Sequence, residues 1–139
     1  MVRMAAALSC CILTALAVLH LYWLFGGQAG KLAAIPTAGA KAVLHPGPLS
    51  TAGVALVLFA MAAAVAARAG WIPRLSNVSR PAVWLIALAF GLRAMGELHY
   101  VGFFKTVTAT RFAQLDTTVY SPLCLLLAAL VACVAALAP

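Results

Sequence analysis

The chain has 139 residues, of which 66% are hydrophobic and only 8% charged, with a mean hydropathy of +1.11. A soluble domain of this size covers its surface with charge on about a quarter of its residues, so the excess apolar surface implies a membrane protein. The formal charge is +7, but the cations are scattered rather than gathered in the stripe that phosphate binding needs, which excludes a nucleic-acid partner.

A helix needs roughly 20 apolar residues to cross ~30 Å of hydrocarbon. Four runs meet or approach that length: residues 4–25, 51–67, 81–104 and 120–138. Backbone groups in lipid must be satisfied internally, so the expected fold class is all-α, a polytopic bundle of four transmembrane helices forming a single domain. The first run could also be read as a secretory signal peptide. It is long for that role and ends in "YWLF", an aromatic belt and not a small-residue cleavage site.

The three connecting segments carry Gly, Pro, Ser and most of the charge, as helix punctuation does. Arg3, Arg68, Arg74 and Arg80 fall at one end of such a bundle, and Lys31, Lys41, Lys105 and Arg111 at the other. The amino terminus and the compact Arg68–Arg80 group favour both termini in the cytoplasm. Cys10, Cys11, Cys124 and Cys133 lack paired C-x-x-C spacing, so they read as small packing residues, with no metal or other cofactor expected.

The polar residues are not spread evenly. With odd spans parallel, His20, Tyr22, Trp23, Glu97, His99, Tyr100, Asp116 and Tyr120 converge on one membrane half, and Arg93 lies near mid-span. Arg93, Glu97, Tyr100 and Phe104 follow i, i+4, i+7, i+11, one stripe of a helix. Charge near the centre of a span costs roughly 2.5–3.5 kcal/mol, so this stripe should face the interior, with Arg93 and Glu97 neutralising one another. His20, Asp116 or Tyr120 would be further partners. Gly96 beside the stripe would let a neighbouring helix approach.

Plainer roles stand beside these. Arg93–Glu97 could be a structural pair that fixes register. His20 could bond a backbone carbonyl at the interface, the aromatics could form a belt, Asp116 could cap a turn, and Ser121 could be the N-cap of the last helix.

The blocks "LHLYWLFGGQAG", "GLRAMGELHYVGFFK" and "FAQLDTTVYSPLCLLLA" resemble, in order and over nearly the whole chain, the bacterial family of domain of unknown function 3995. The resemblance implies a small four-span protein of the bacterial cytoplasmic membrane and no established activity.

Two functions fit the residues. One is a non-catalytic protein, in contact with membrane lipid, that binds a lipophilic small molecule through Trp23, Arg93, Tyr100, Phe104 and Tyr120. The other is an embedded acid–base enzyme, an isoprenoid or terpene cyclase or isomerase, with Glu97, Asp116 and His20 moving protons beside aromatic rings that stabilise cationic carbon. Proton or ion transport fits less well, because no relay continues through the other half of the membrane.

Overall fold

The computed structural model describes residues 1–38, 41–73 and 76–138. Arg74, counted in the charge balance above, lies outside the described residues, as does the side chain of Lys41.

Four helices form the bundle: α1 (Val2–Leu24), α2 (Pro48–Arg68), α3 (Ser76–Met95) and α4 (Arg111–Leu137). Each helix packs against two neighbours around a ring, α1 on α2 and α4, and α3 on α2 and α4. Small residues let the axes approach. Ala6 and Ala17 of α1, Val65 of α2 and Val131 and Ala135 of α4 are all buried in one core cluster, the small-residue packing expected where lipid supplies no hydrophobic drive between helices. The outer faces keep exposed Leu8, Leu56, Leu85 and Leu125. Among the described residues α1, α2 and α4 are long and apolar enough to cross a membrane. The intervening α3 opens on the polar "SNVSR" and carries Arg93 in its last turn.

Direction alternates along the ring. At one end Arg68, closing α2, is buried and donates to the carbonyls of Ala135 and Ala138 at the end of α4, a cation on the orphan acceptors of a helix C-terminus. Midway, the Cys10 thiol of α1 donates to the Ala62 carbonyl of α2 at 3.4 Å. The cysteines are free, and Cys11 is exposed while the others are half-buried.

Three helix boundaries differ from the sequence expectation by five residues or more, and the first is the start of α3 at Ser76, ahead of Pro81. The third helix stops at Met95, not at Phe104. Gly96 follows with φ +88°, the left-handed residue that commonly ends helices. The chain then doubles back: Phe103 N–H donates to Ala94 O at 2.9 Å and Phe104 N–H to Met95 O at 3.4 Å, satisfying the last carbonyls of α3. The reversal needs two glycines back to back. Gly102 has φ +86°, and a Cβ on it would overlap Gly96, as one on Gly96 would overlap Val101 and Gly102. Gly96 therefore admits its own chain, not a neighbouring helix.

The last helix starts earlier than expected, at Arg111, where the Thr110 side chain accepts from Ala113 N–H at 3.1 Å. Thr110 is its N-cap, and Ser121 lies inside the helix. Residues Asp116–Tyr120 form a π turn within it, with Ser121 N–H donating to Asp116 O. Pro122 has no N–H for the regular bond to Thr118. Thr117 and Thr118 also bond back to Ala113 O and Gln114 O, which loosens the regular ladder. The α1–α2 connection holds a short 3₁₀ turn, Leu32–Ala34, and a two-residue antiparallel pairing of Thr37–Ala38 with Lys41–Ala42.

Candidate functional site

The π turn aims Asp116 into the bundle, where its side chain is wholly buried. On a regular helix, residues five apart do not share a face; the wider turn brings Ser121 Oγ to 3.2 Å from Asp116 Oδ2. Gly102 N–H reaches the same oxygen at 2.7 Å and Lys105 Nζ at 3.1 Å. Arg93 Nη2 donates to Oδ1 at 2.8 Å. A carboxylate offers about two acceptor sites on each oxygen; here three donors gather on Oδ2 and one meets Oδ1. Lys105 is complete: its three N–H groups point at Asp116, at Gly102 O (2.8 Å) and at Thr117 Oγ1 (2.6 Å). Its side chain is 1% exposed. The turn after α3 is thereby clamped to the start of α4.

Beside this cluster is a cavity of about 490 Å³, within the ~300–1,000 Å³ typical of small-molecule sites. It lies at one end of the bundle, between the last turns of α1, the first turns of α2, the end of α3 and the start of α4. Leu16, Leu19, Val54, Phe112 and Leu123 make its walls, and His20, Lys31, Arg93 and Tyr120 bring polar groups to it. The α1–α2 connection covers it, contributing residues from Ala29 to Pro46. Two aromatic side chains hold that cover: Trp23 Nε1–H donates to Ala29 O at 2.8 Å, and Tyr120 O–H to Ala33 O at 3.2 Å. His20 Nδ1–H donates to Leu16 O at 2.8 Å, and its ring meets that of Trp23 edge-on at 4.9 Å. That bond leaves His20 Nε2 as the free ring position.

The residues singled out in the sequence divide accordingly. His20, Trp23, Arg93 and Tyr120 line the cavity. Asp116 stands behind it and orients Arg93. Glu97, Tyr100 and Phe104 do not line it, because they follow the end of α3 and no helical stripe joins them to Arg93. The expected Arg93–Glu97 pair is not formed. Glu97 is exposed and accepts from Tyr100 N–H at 2.6 Å, closing the turn beyond the helix. Arg93 sits in the last turn of α3, not in mid-span. His99 contacts Tyr100 edge-on and shares a 3.0 Å hydrogen bond with Thr106.

Sequence reasoning does not bring Lys105, Gly102, Thr117 or Ser121 into the site: it places Lys105 only at one end of the bundle and Ser121 only as an N-cap, although both are buried. The available signal was the segment from Asp116 to Pro122, where a serine five residues after an acid precedes a proline that disturbs the helix. No group of three or more metal-ligating side chains occurs among the described residues.

Fold and charge cluster together define a small all-α polytopic membrane protein whose polar residues gather at one end of a four-helix bundle. Residues 13–131 match the family described as Protein of unknown function (DUF3995), and the chain belongs to that family. No curated protein and no solved structure matches it.

Proposed function

We propose that this protein binds a lipophilic small molecule in the covered cavity at the Arg93 end of the bundle. The observation that carries this reading is the cavity itself: about 490 Å³, walled by aliphatic and aromatic side chains, with a few polar groups among them. Apolar walls supply affinity and a small number of placed polar groups supply orientation, as in small-molecule sites generally. The cyclase or isomerase reading needs a carboxylic acid to protonate the substrate, besides a second group such as His20 to take a proton back. Asp116 is engaged by four donors, and Glu97 lies outside the cavity, so binding is the better-supported function. We place the protein in the bacterial cytoplasmic membrane with both termini inside, from the composition and the Arg68–Arg80 charges.

Native mass spectrometry of the full chain in neutral detergent tests the binding. Dodecanol and dodecanoate are titrated separately, and at least one should saturate at one per chain. Leu16→Trp, which puts an indole into the cavity, should abolish that binding while the protein keeps its helical content. Uptake by neither probe, or saturable uptake indifferent to Leu16→Trp, would remove the cavity as a binding site.

A further inference from the structure

Within the polar network around Asp116, Lys105 and Asp116 are wholly buried and held by several partners each. Arg93 engages only through Nη2, and its side chain is 35% exposed, so part of it stays open to a further acceptor. Charge leads to the same residue. Two cations flank one carboxylate, leaving the cluster with a net positive charge beside an apolar cavity, a field that attracts an anion.

Arg93 also borders two spaces. Besides the cavity it lines a recess of about 430 Å³ between α2 and α3, walled by Gly53, Val54, Val57, Met61, Ala89 and Phe90. Ser50, Val54 and Arg93 belong to both linings. Val54 and Val57 are exposed on the outside of the bundle, so the recess opens sideways, on the surface that faces lipid.

We infer that the occupant is a single-chain anionic lipid drawn from the bilayer, its carboxylate or phosphate head and first carbons in the cavity with the head accepting from Arg93, and the rest of its hydrocarbon chain passing Ser50 and Val54 into the α2–α3 recess. This rests on the binding reading above and names the ligand's class. Electrostatic complementarity selects the head: neither lining contains an acid, whereas Arg93 and Lys31 both line the cavity. A guanidinium already oriented by Asp116 is the donor best suited to a planar or tetrahedral oxyanion. The recess selects the chain, because apart from Ser50 and Arg93 its walls are apolar.

The test titrates the full chain in neutral detergent with four dodecyl probes differing only in the head: dodecanoate, dodecyl phosphate, dodecanol and dodecyltrimethylammonium. At least one anion should bind about tenfold or more tightly than the alcohol, the ratio one charge-assisted hydrogen bond supplies. Whichever anion is preferred assigns the head as carboxylate or phosphate. Arg93→Gln should erase the preference of the anions over dodecanol. If that variant fails to fold, Lys31→Gln, which leaves the Asp116 cluster intact, should reduce the preference instead. Gly53→Leu tests the seat of the chain. A Cβ there meets nothing within 4 Å, and leucine favours a helix over glycine, so the variant should be no less stable yet bind the preferred anion about tenfold more weakly. Equal affinity for all four heads would overturn the anionic head and leave cavity binding standing. No saturable binding of any probe would overturn both. Undiminished anion binding by Gly53→Leu would remove the chain from the recess.

Discussion

Arg93 and Asp116 meet at 2.8 Å, joining the last turn of α3 to the π turn of α4. Through Asp116 the same bond system reaches Lys105 and the backbone of Gly102, so one carboxylate holds two helices and the segment between them.

Asp116→Asn should therefore be the most damaging conservative change at this end of the bundle. It leaves Arg93 and Lys105 without their counter-ion, and breaking a buried pair typically costs about 3–5 kcal/mol. Glu97→Gln should move stability by no more than about 0.5 kcal/mol, as surface substitutions usually do. Thermal unfolding of the two variants in detergent compares them. A larger loss for Glu97→Gln would mean that the exposed acid is the structural one.

Two glycines of left-handed conformation should respond differently to alanine. Gly102→Ala meets the backbone of Met95 and Gly96 and displaces the N–H that serves Asp116. Strain of that kind costs about 1–3 kcal/mol before the lost hydrogen bond is counted. Gly26 has φ +95° with open space where a Cβ would stand, so Gly26→Ala should cost only about 1–2 kcal/mol. Equal losses in a side-by-side unfolding series would show that the Gly96–Gly102 contact contributes nothing.

The sequence made α1 and α2 legible because each is a continuous apolar run bounded by glycine or proline, and the structure moves their ends by only a few residues. The end of α3 was obscured by a coincidence of period. Arg93, Glu97, Tyr100 and Phe104 have helical spacing, but Gly96 interrupts it, and Gly102 supplies the second flexible residue that the reversal needs. A local stop prevails over periodicity when the following backbone can satisfy the terminal carbonyls, as Phe103 and Phe104 do here. The start of α4 was hidden for the opposite reason. "RFAQLDTT" has the composition of a loop, yet Thr110 caps it and the threonine hydroxyls bond back along the helix. Nothing local in the sequence specifies the contact between Lys105 and Asp116, since it depends on that reversal.

The cover of the cavity should loosen when its two aromatic anchors lose their donors. Trp23→Phe with Tyr120→Phe removes the hydrogen bonds to Ala29 O and Ala33 O, each contributing about 0.5–1.5 kcal/mol. Lys31 lies between those anchor points, so trypsin should cut after it several-fold faster in the double variant, by local opening of the segment. The four helices should stay folded on circular dichroism. An unchanged cleavage rate would show that the cover is held by other contacts.

The last prediction concerns α3, whose apolar stretch between Arg80 and Arg93 is the shortest of the four and which is not among the helices long and apolar enough to cross a membrane. Its position in the ring nonetheless requires it to run from the Arg68 end to the Asp116 end. Single cysteines at His45, Trp71 and Thr108, all exposed, would report this in a background with the four native cysteines replaced by alanine. A membrane-impermeant maleimide applied to intact cells should label the His45 and Thr108 sites from the same side. The Trp71 site should react only after the membrane is opened, as expected if the Arg68–Arg80 end is cytoplasmic. Labelling of Trp71 alone in intact cells would reverse the orientation and keep the four-span topology. Labelling of Trp71 and Thr108 from one side, with His45 on the other, would show that α3 enters the membrane without crossing it. The polar cluster would then have to be reached from the opposite face.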